Sequence, residues 1–170
     1  MGLSLGLLAL VSPFAAPAAR AQSEAAAPAT AAGTAFDVTA VRQLLVRGDA
    51  AAASGNLVEA RRLYDEARVA SKQLAGFYRT IAGAFRGLDA RIPREMDDKG
   101  RQSIELLADS NMRLAALLRR QGQPEVAVPL LIEVITATTP ASAQGSKAYQ
   151  QLVEIGFVAT PYAAGAAAGH

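Results

Sequence analysis

The sequence lacks cysteine and tryptophan and contains one histidine among its 170 residues. Without cysteine the chain can form no disulfide, no thiolate nucleophile and no Cys-ligated metal site. The one histidine, His170, is the last residue, so no imidazole elsewhere can serve as a general base or a metal ligand. We therefore expect no enzyme activity and no cofactor.

The sequence also lacks a large excess of either charge. It carries 17 Lys and Arg against 15 Asp and Glu, a formal net charge of +2. Binding to phosphate backbones requires clustered basic residues in excess, so we predict no nucleic-acid partner. Asp97 and Asp98 are adjacent and project to different helix faces, which argues against a catalytic carboxylate pair. Glu105 and Asp109 share a face, but two carboxylates alone make a poor cation site.

What the chain does contain is 51% apolar residues, many of them alanine, which favours helix. Apolar residues recur three and four apart, and neither a strand pattern nor a Gly-rich phosphate loop is present. The sequence therefore predicts an all-α protein with about five helices. Their predicted bounds are about 37–54, 57–86, 93–121, 124–138 and 142–155, within a helical domain at 36–158.

The N-terminal segment has the pattern of a secretory signal. An apolar run from Leu3 to about Ala16 is followed by the small-x-small sequence at 19–21. This predicts a signal peptide at 1–21 that is cleaved after Ala21, although no Lys or Arg lies near Met1. The alternative is an uncleaved membrane anchor, and only then do we expect membrane contact. The run is short and interrupted by two prolines, which favours cleavage.

The segments beside the helical domain have low complexity. Residues 22–35 are Ala, Thr, Pro and Gly without a period, which predicts a flexible linker. Residues 159–170 predict a disordered tail. Asp37 then provides a carboxylate that can cap the first helix, and Gly156 provides a C-terminal stop for the fifth.

Residues 41–72 carry small and large apolar residues in a characteristic order: Leu44, Gly48, Gly55, Leu57, Ala60, Tyr64 and Ala67. This order and spacing resembles the tetratricopeptide repeat, a helix–turn–helix of 34 residues. Gly48 and Ala60 would let the two helices approach closely, with Tyr64 filling the gap beside them. The resemblance implies a helical-repeat module, and the alternative is a bare α-hairpin of similar spacing.

A second, weaker match to the same repeat spans 108–140. It consists of Ala115, Leu118, Gly122, Ala127, Leu131 and Pro140, and it departs from the pattern at Asn111, where the repeat has a large apolar side chain. The segment between the matches either forms a middle repeat or pairs helices 2 and 3 as one long antiparallel hairpin. In the second case we expect helices 1 and 4 to pack only against the base of that hairpin.

Charged residues crowd the turn between helices 2 and 3, over 79–101. One interpretation is ion pairing across the hairpin together with solvation. The other is a docking surface, because arginine guanidinium groups bind carboxylates in a bidentate manner. The candidate partner-binding residues are Tyr78, Arg79, Arg86, Asp89, Arg91 and Arg94. Phe77 and Tyr78 add contact area to such a surface, whereas we expect Phe85 in the core.

Together these features predict an exported, non-enzymatic helical-repeat scaffold that binds another protein. The alternative is a helical bundle that holds a lipid, a pigment or another apolar molecule. Residues 76–100 also resemble a segment of small exported proteins of photosynthetic bacteria. That resemblance implies the periplasm or the thylakoid lumen, and it implies no activity.

Overall fold

A computed structural model describes residues 36–162, which contain five α-helices and no strand, so the all-α prediction is confirmed for that range. The helices are α1 Val38–Ala53, α2 Leu57–Ala84, α3 Arg91–Arg120, α4 Pro124–Thr138 and α5 Ala143–Ile155. The predicted signal peptide, the predicted linker at 22–35 and tail residues 163–170 lie outside the described residues. Within 36–162 no helix is both long enough and apolar enough to cross a bilayer.

Side-chain caps explain where three of the helices begin. The Asp37 carboxylate accepts from the Ala40 amide at 2.7 Å, as predicted, and the Asn56 side chain accepts from the Glu59 amide at 3.2 Å. The Ser142 hydroxyl does the same for Gly145 at 2.9 Å. Each cap satisfies an amide that the first helical turn leaves without a partner.

Two glycine turns divide the helices into hairpins. Gly55 and Gly122 have φ values of +81° and +73°, a region that L side chains rarely adopt. They lie in the turns α1–α2 and α3–α4 at the positions that the sequence predicts. Between these two turns, the α2–α3 connection joins continuous helices of 28 and 30 residues, with no middle repeat between them.

Small side chains set the packing of the α1–α2 hairpin. A Cβ atom placed on Gly48 would lie 2.5 Å from Cε1 of Tyr64, so this crossing tolerates only glycine in its present geometry. Ala60 and Ala67 of α2 are completely buried. The expected close approach through Gly48 and Ala60, with Tyr64 beside them, is therefore confirmed.

Helix α3 takes part in both hydrophobic cores. The first core joins α1, α2 and α3 and centres on Val41, Leu45, Leu74, Leu114 and Leu117. The second core joins α3, α4 and α5 and centres on Ala115, Leu118, Ala127, Leu131, Val134 and Leu152. Because α3 contributes to both, it links the two halves of the domain.

The α2–α3 hairpin extends past its neighbours, and we call residues 77–102 the arm. Its helices run antiparallel, since Tyr78 near the end of α2 neighbours Gly100 near the start of α3. Phe36, just before α1, contacts Phe77 at the beginning of the arm. No residue between 83 and 102 is buried. Helices α1 and α4 thus pack against the base of the hairpin. This is the arrangement expected if helices 2 and 3 form one long antiparallel hairpin.

One expectation about the core is wrong. Phe85 was expected in the core, yet it is 39% exposed, and Ile81 on the same apolar side of α2 is 40% exposed. The reason is that α2 is longer than the part of the described chain that packs on this side of it, which reaches only as far as Phe77. Beyond that point an apolar face of α2 has no helix against it among residues 36–162.

Candidate functional site

The six candidate partner-binding residues all lie in the arm, but they differ in accessibility. Arg79, Arg86, Arg91 and Arg94 are exposed and Asp89 is half-buried. Tyr78 is half-buried and faces α3, where the Lys99 ammonium lies 5.9 Å from the centre of its ring. Tyr78 therefore contributes mainly to packing within the hairpin.

The ion pairs of the arm are local. Arg91 binds Asp89 at 2.7 Å, Lys99 binds Glu95 at 2.7 Å, and Arg101 binds Asp98. The hydrogen bonds that the side chain and backbone amide of Arg91 donate to Asp89 lower the pKa of that carboxyl group. Within the described residues, no ion pair joins the two helices of the arm, so the first interpretation is wrong in its pairing across the hairpin, while its solvated charges are in keeping with the exposure of these side chains.

Three arginines of the arm have no ion-pair partner among the described residues: Arg79, Arg86 and Arg94. Arg79 borders a groove of about 430 Å³, and Arg86 and Arg94 border a second groove of about 440 Å³. Both grooves are also lined by Asp97 and Arg101, so they adjoin each other. We call this surface the arginine side of the arm.

The first groove has an apolar floor at the base of the arm. Its apolar lining consists of Ala75, Met96, Ile104 and Ala137, contributed by α2, α3 and α4. Glu105, considered above with Asp109 as a cation site, stands on its rim. Asp109 instead accepts a hydrogen bond from the Gln144 amide at 2.8 Å and lies 3.7 Å from the Arg113 guanidinium. Within 36–162, no group of three acidic or histidine side chains is placed to hold a metal ion.

A second surface of the arm is apolar. It consists of the exposed residues Phe77, Ile81, Phe85 and Leu88 of the arm together with Phe36, which lies just before α1 and contacts Phe77, and we call these five residues the apolar stripe. Phe77 is 56% exposed and Leu88 is 79% exposed. Arg79 is two residues after Phe77, roughly 200° around the helix, so the arginine side and the stripe face different directions.

A polar cluster at the base of the arm connects three helices and was missed by the sequence analysis. Glu133 of α4 accepts hydrogen bonds from Arg68 at 2.7 Å, from Lys72 at 2.8 Å and from the Asn111 amide at 3.0 Å. Partial burial by itself raises the pKa of Glu133, but these three donors outweigh it and lower the pKa to about 2. The signal in the sequence was Asn111, the polar residue at an apolar repeat position, which is completely buried.

A second polar cluster links α1, α2 and α3. The Tyr64 hydroxyl donates to Asp49 at 2.7 Å, and Arg113 donates to the same carboxylate at 2.9 Å. Burial, followed by the hydrogen bond to Asp49, raises the pKa of Tyr64 to about 12. The ring of Tyr64 thus packs against Gly48 where α1 and α2 cross. Its hydroxyl shares Asp49 with Arg113 and so connects α3 to the same place.

The arm therefore has two surfaces of different chemistry: one carries three arginines without an ion-pair partner among residues 36–162, and the other is apolar. Neither surface contains a nucleophile paired with a base. Comparison of the chain with family models, curated proteins and solved structures finds no match. We therefore argue the function from the geometry of the arm.

Proposed function

We propose that this protein is an exported, non-enzymatic helical scaffold that binds another protein through the arginine side of its arm. The observation that carries the proposal is the set of three exposed arginines without an acidic partner in the described chain. The partner we infer is a protein segment that presents carboxylates next to apolar side chains.

Charge complementarity supports this choice of partner. The Arg91, Lys99 and Arg101 side chains are neutralised locally, whereas Arg79, Arg86 and Arg94 are not. A guanidinium group binds a carboxylate with two parallel hydrogen bonds, which gives geometric specificity as well as affinity. Arginine is also among the residue types that contribute most at protein interfaces. A partner with acidic side chains would pair with these three arginines, which outnumber Asp97, the carboxylate that lines both grooves and likewise has no ion pair among the described residues.

The shape of the arginine side supports binding of a segment of chain. The two adjoining grooves run along the arm and continue to its base, where the floor is apolar. Apolar side chains of a partner can be buried on that floor while its carboxylates meet the arginines at the rim. Helices of 28 and 30 residues with a hydrogen-bonded base hold these positions in place before binding, which lowers the entropic cost of association.

Two features of the sequence support the rest of the proposal. The resemblance of 41–72 to a tetratricopeptide repeat agrees with a role in presenting a surface to another protein. The signal pattern at 1–21 supports export. Both remain predictions, and neither identifies the partner.

The experiment compares two charge-reversal variants in partner capture from the exported fraction of the source cells. Arg86→Glu with Arg94→Glu alters the arginine side, and Arg61→Glu with Arg120→Glu makes the same charge change at exposed positions away from the arm. We expect wild type and the second variant to retain a stoichiometric protein partner, and the first variant to lose it at unchanged helicity. Equal capture by both variants would contradict the proposal.

The alternative function is binding of an apolar small molecule, and the groove at the base of the arm is the observation in its favour. Its volume of about 430 Å³ lies in the range of small-molecule sites, and its floor is apolar. Solvent extraction of the purified protein tests it directly. A lipid or pigment that co-purifies in stoichiometric amount, without a protein partner, would favour this alternative over the scaffold.

A further inference from the structure

The apolar stripe is a separate feature from the arginine side, and its spacing is nearly symmetric. Along α2 and the following turn its members are Phe77, Ile81, Phe85 and Leu88, at intervals of four, four and three residues. If a second copy of α2 is laid antiparallel on this face, Ile81 meets Phe85 of the copy, and Phe77 lies opposite the turn that carries Leu88, where the left-handed Gly87 has already ended the helix. Each contact then occurs twice, which is the defining property of an interface with two-fold symmetry.

We propose that the apolar stripe is an interface between two copies of this chain, joined arm to arm about a two-fold axis between Ile81 and Phe85. Ala84 lies near this axis and is small enough to let the helices approach. The proposal does not depend on the partner inferred above, because the arginine side faces a different direction and stays accessible in the pair.

The charges around the stripe suit a second copy. Asp89 is neutralised by Arg91, and Glu95 is neutralised by Lys99. On its other border α2 presents the uncharged side chains of Gln73, Thr80 and Ala84. Around the proposed two-fold axis, two identical surfaces therefore meet without repulsion between like charges. The carboxylates of Asp65 and Glu66 border only the Phe36 end of the stripe.

The area of the stripe is sufficient for a reversible dimer. With side chains between 39% and 79% exposed, its five residues present roughly 500 Å² of surface per copy, or roughly 1,000 Å² for a symmetric pair. That total is near the lower limit for a specific interface, so we expect a dimer that dissociates on dilution. Phe36, which packs edge-on against Phe77 at 5.8 Å between ring centres, extends the stripe at each end of the pair.

The test is sedimentation velocity of the purified full chain over a series of concentrations. We expect monomer at low concentration and dimer at high concentration. Ile81→Lys and Phe85→Glu each place charges in the interface, and we expect each to weaken association at least about tenfold. Val58→Lys is the matched control, because Val58 is an exposed residue of α2 outside the arm, and it should leave association unchanged.

A mixture of the two stripe variants, Ile81→Lys and Phe85→Glu, tests the register itself. In the mixed pair the introduced lysine of one copy would face the introduced glutamate of the other, while the remaining contact keeps the wild-type Phe85 and Ile81. We therefore expect the mixture to associate more strongly than either variant alone. A wild-type chain that stays monomeric, a dimer that tolerates both substitutions, or a mixture without recovery would overturn the proposal.

Discussion

Gly48 illustrates how a single absent side chain sets the distance between two helices. The ring of Tyr64 occupies the space that a Cβ atom would need, and the Tyr64 hydroxyl is held by Asp49 at 2.7 Å. That hydrogen bond opposes any displacement of the ring. A glycine inside a helix costs up to about 1 kcal/mol relative to alanine, so its presence here reflects packing.

We expect Gly48→Leu to lower the free energy of unfolding by about 1–3 kcal/mol through overpacking. Urea denaturation followed by circular dichroism measures this change. Gly76→Ala is the control, because Gly76 lies in α2 with nothing within 4 Å of an added Cβ atom, and it should raise stability by up to about 1 kcal/mol. An unfolding curve for Gly48→Leu that matches wild type would disprove the close crossing.

At the scale of helices, the cluster around Glu133 determines how α2, α3 and α4 are held together. Arg68 and Lys72 belong to α2, Asn111 to α3 and Glu133 to α4. The Glu133 side chain is only 19% exposed, so its ion pairs are less screened by solvent than those on the surface. Removing its charge leaves Arg68 and Lys72 without their shared carboxylate.

This arrangement makes stability depend on pH. Because the pKa of Glu133 falls from 4.5 to about 2 on folding, its stabilisation is complete above pH 4.5 and is lost as the pH falls towards 2. We expect Glu133→Gln to cost about 2–3 kcal/mol at pH 7. The difference from wild type should shrink steadily between pH 4.5 and pH 2.

Urea unfolding at a series of pH values measures that difference. Glu66→Gln provides the matched control, because Glu66 is paired with Arg62 at 2.9 Å on an exposed helix face. Such a pair contributes at most about 1 kcal/mol. A constant difference between Glu133→Gln and wild type from pH 7 to pH 2 would show that the charge of Glu133 does not stabilise the fold.

For the whole domain, the important contrast is between the base and the arm. Both hydrophobic cores lie in the base, whereas no residue between 83 and 102 is buried. The arm is thus held mainly by its own helical hydrogen bonds and by the contact between its two helices. At its beginning it also contacts Phe36, and Arg42 of α1 donates a hydrogen bond to Gln102 at 3.2 Å. Segments with few buried apolar contacts open locally at lower free energy than the core does.

We expect backbone amides of the arm to exchange hydrogen faster than those of the base. Hydrogen exchange followed by mass spectrometry makes the comparison within one helix, between residues 91–102 and residues 106–118 of α3. The measurement should be made at low protein concentration, because association through the apolar stripe would protect the amides of the arm from exchange. Equal protection in the two halves of α3 would show that the arm is as stable as the core.

Much of the fold follows from local sequence patterns. The helix period, the caps at Asp37 and Gly156 and the turns at Gly55 and Gly122 all act over a few residues, so they can be recognised without a structure. The spacing of Arg79 and Arg86 likewise predicts a shared helix face, but α2 ends at Ala84 and Arg86 lies in the turn that follows. These features depend on backbone geometry and steric limits that are the same in any protein.

The sequence by itself therefore determined the helices, the turns at Gly55 and Gly122 and the small-residue crossing at Gly48, whereas it left open whether helices 2 and 3 pair as one long hairpin. Only the tertiary structure decided which apolar side chains are buried by other segments and which charged side chains form ion pairs. Phe85 is exposed because the described chain covering α2 stops short of it, and Glu133 meets Arg68, 65 positions away, only when α2 and α4 come together. Burial and ion pairing depend on distances between segments remote in the chain, which helical periodicity does not encode.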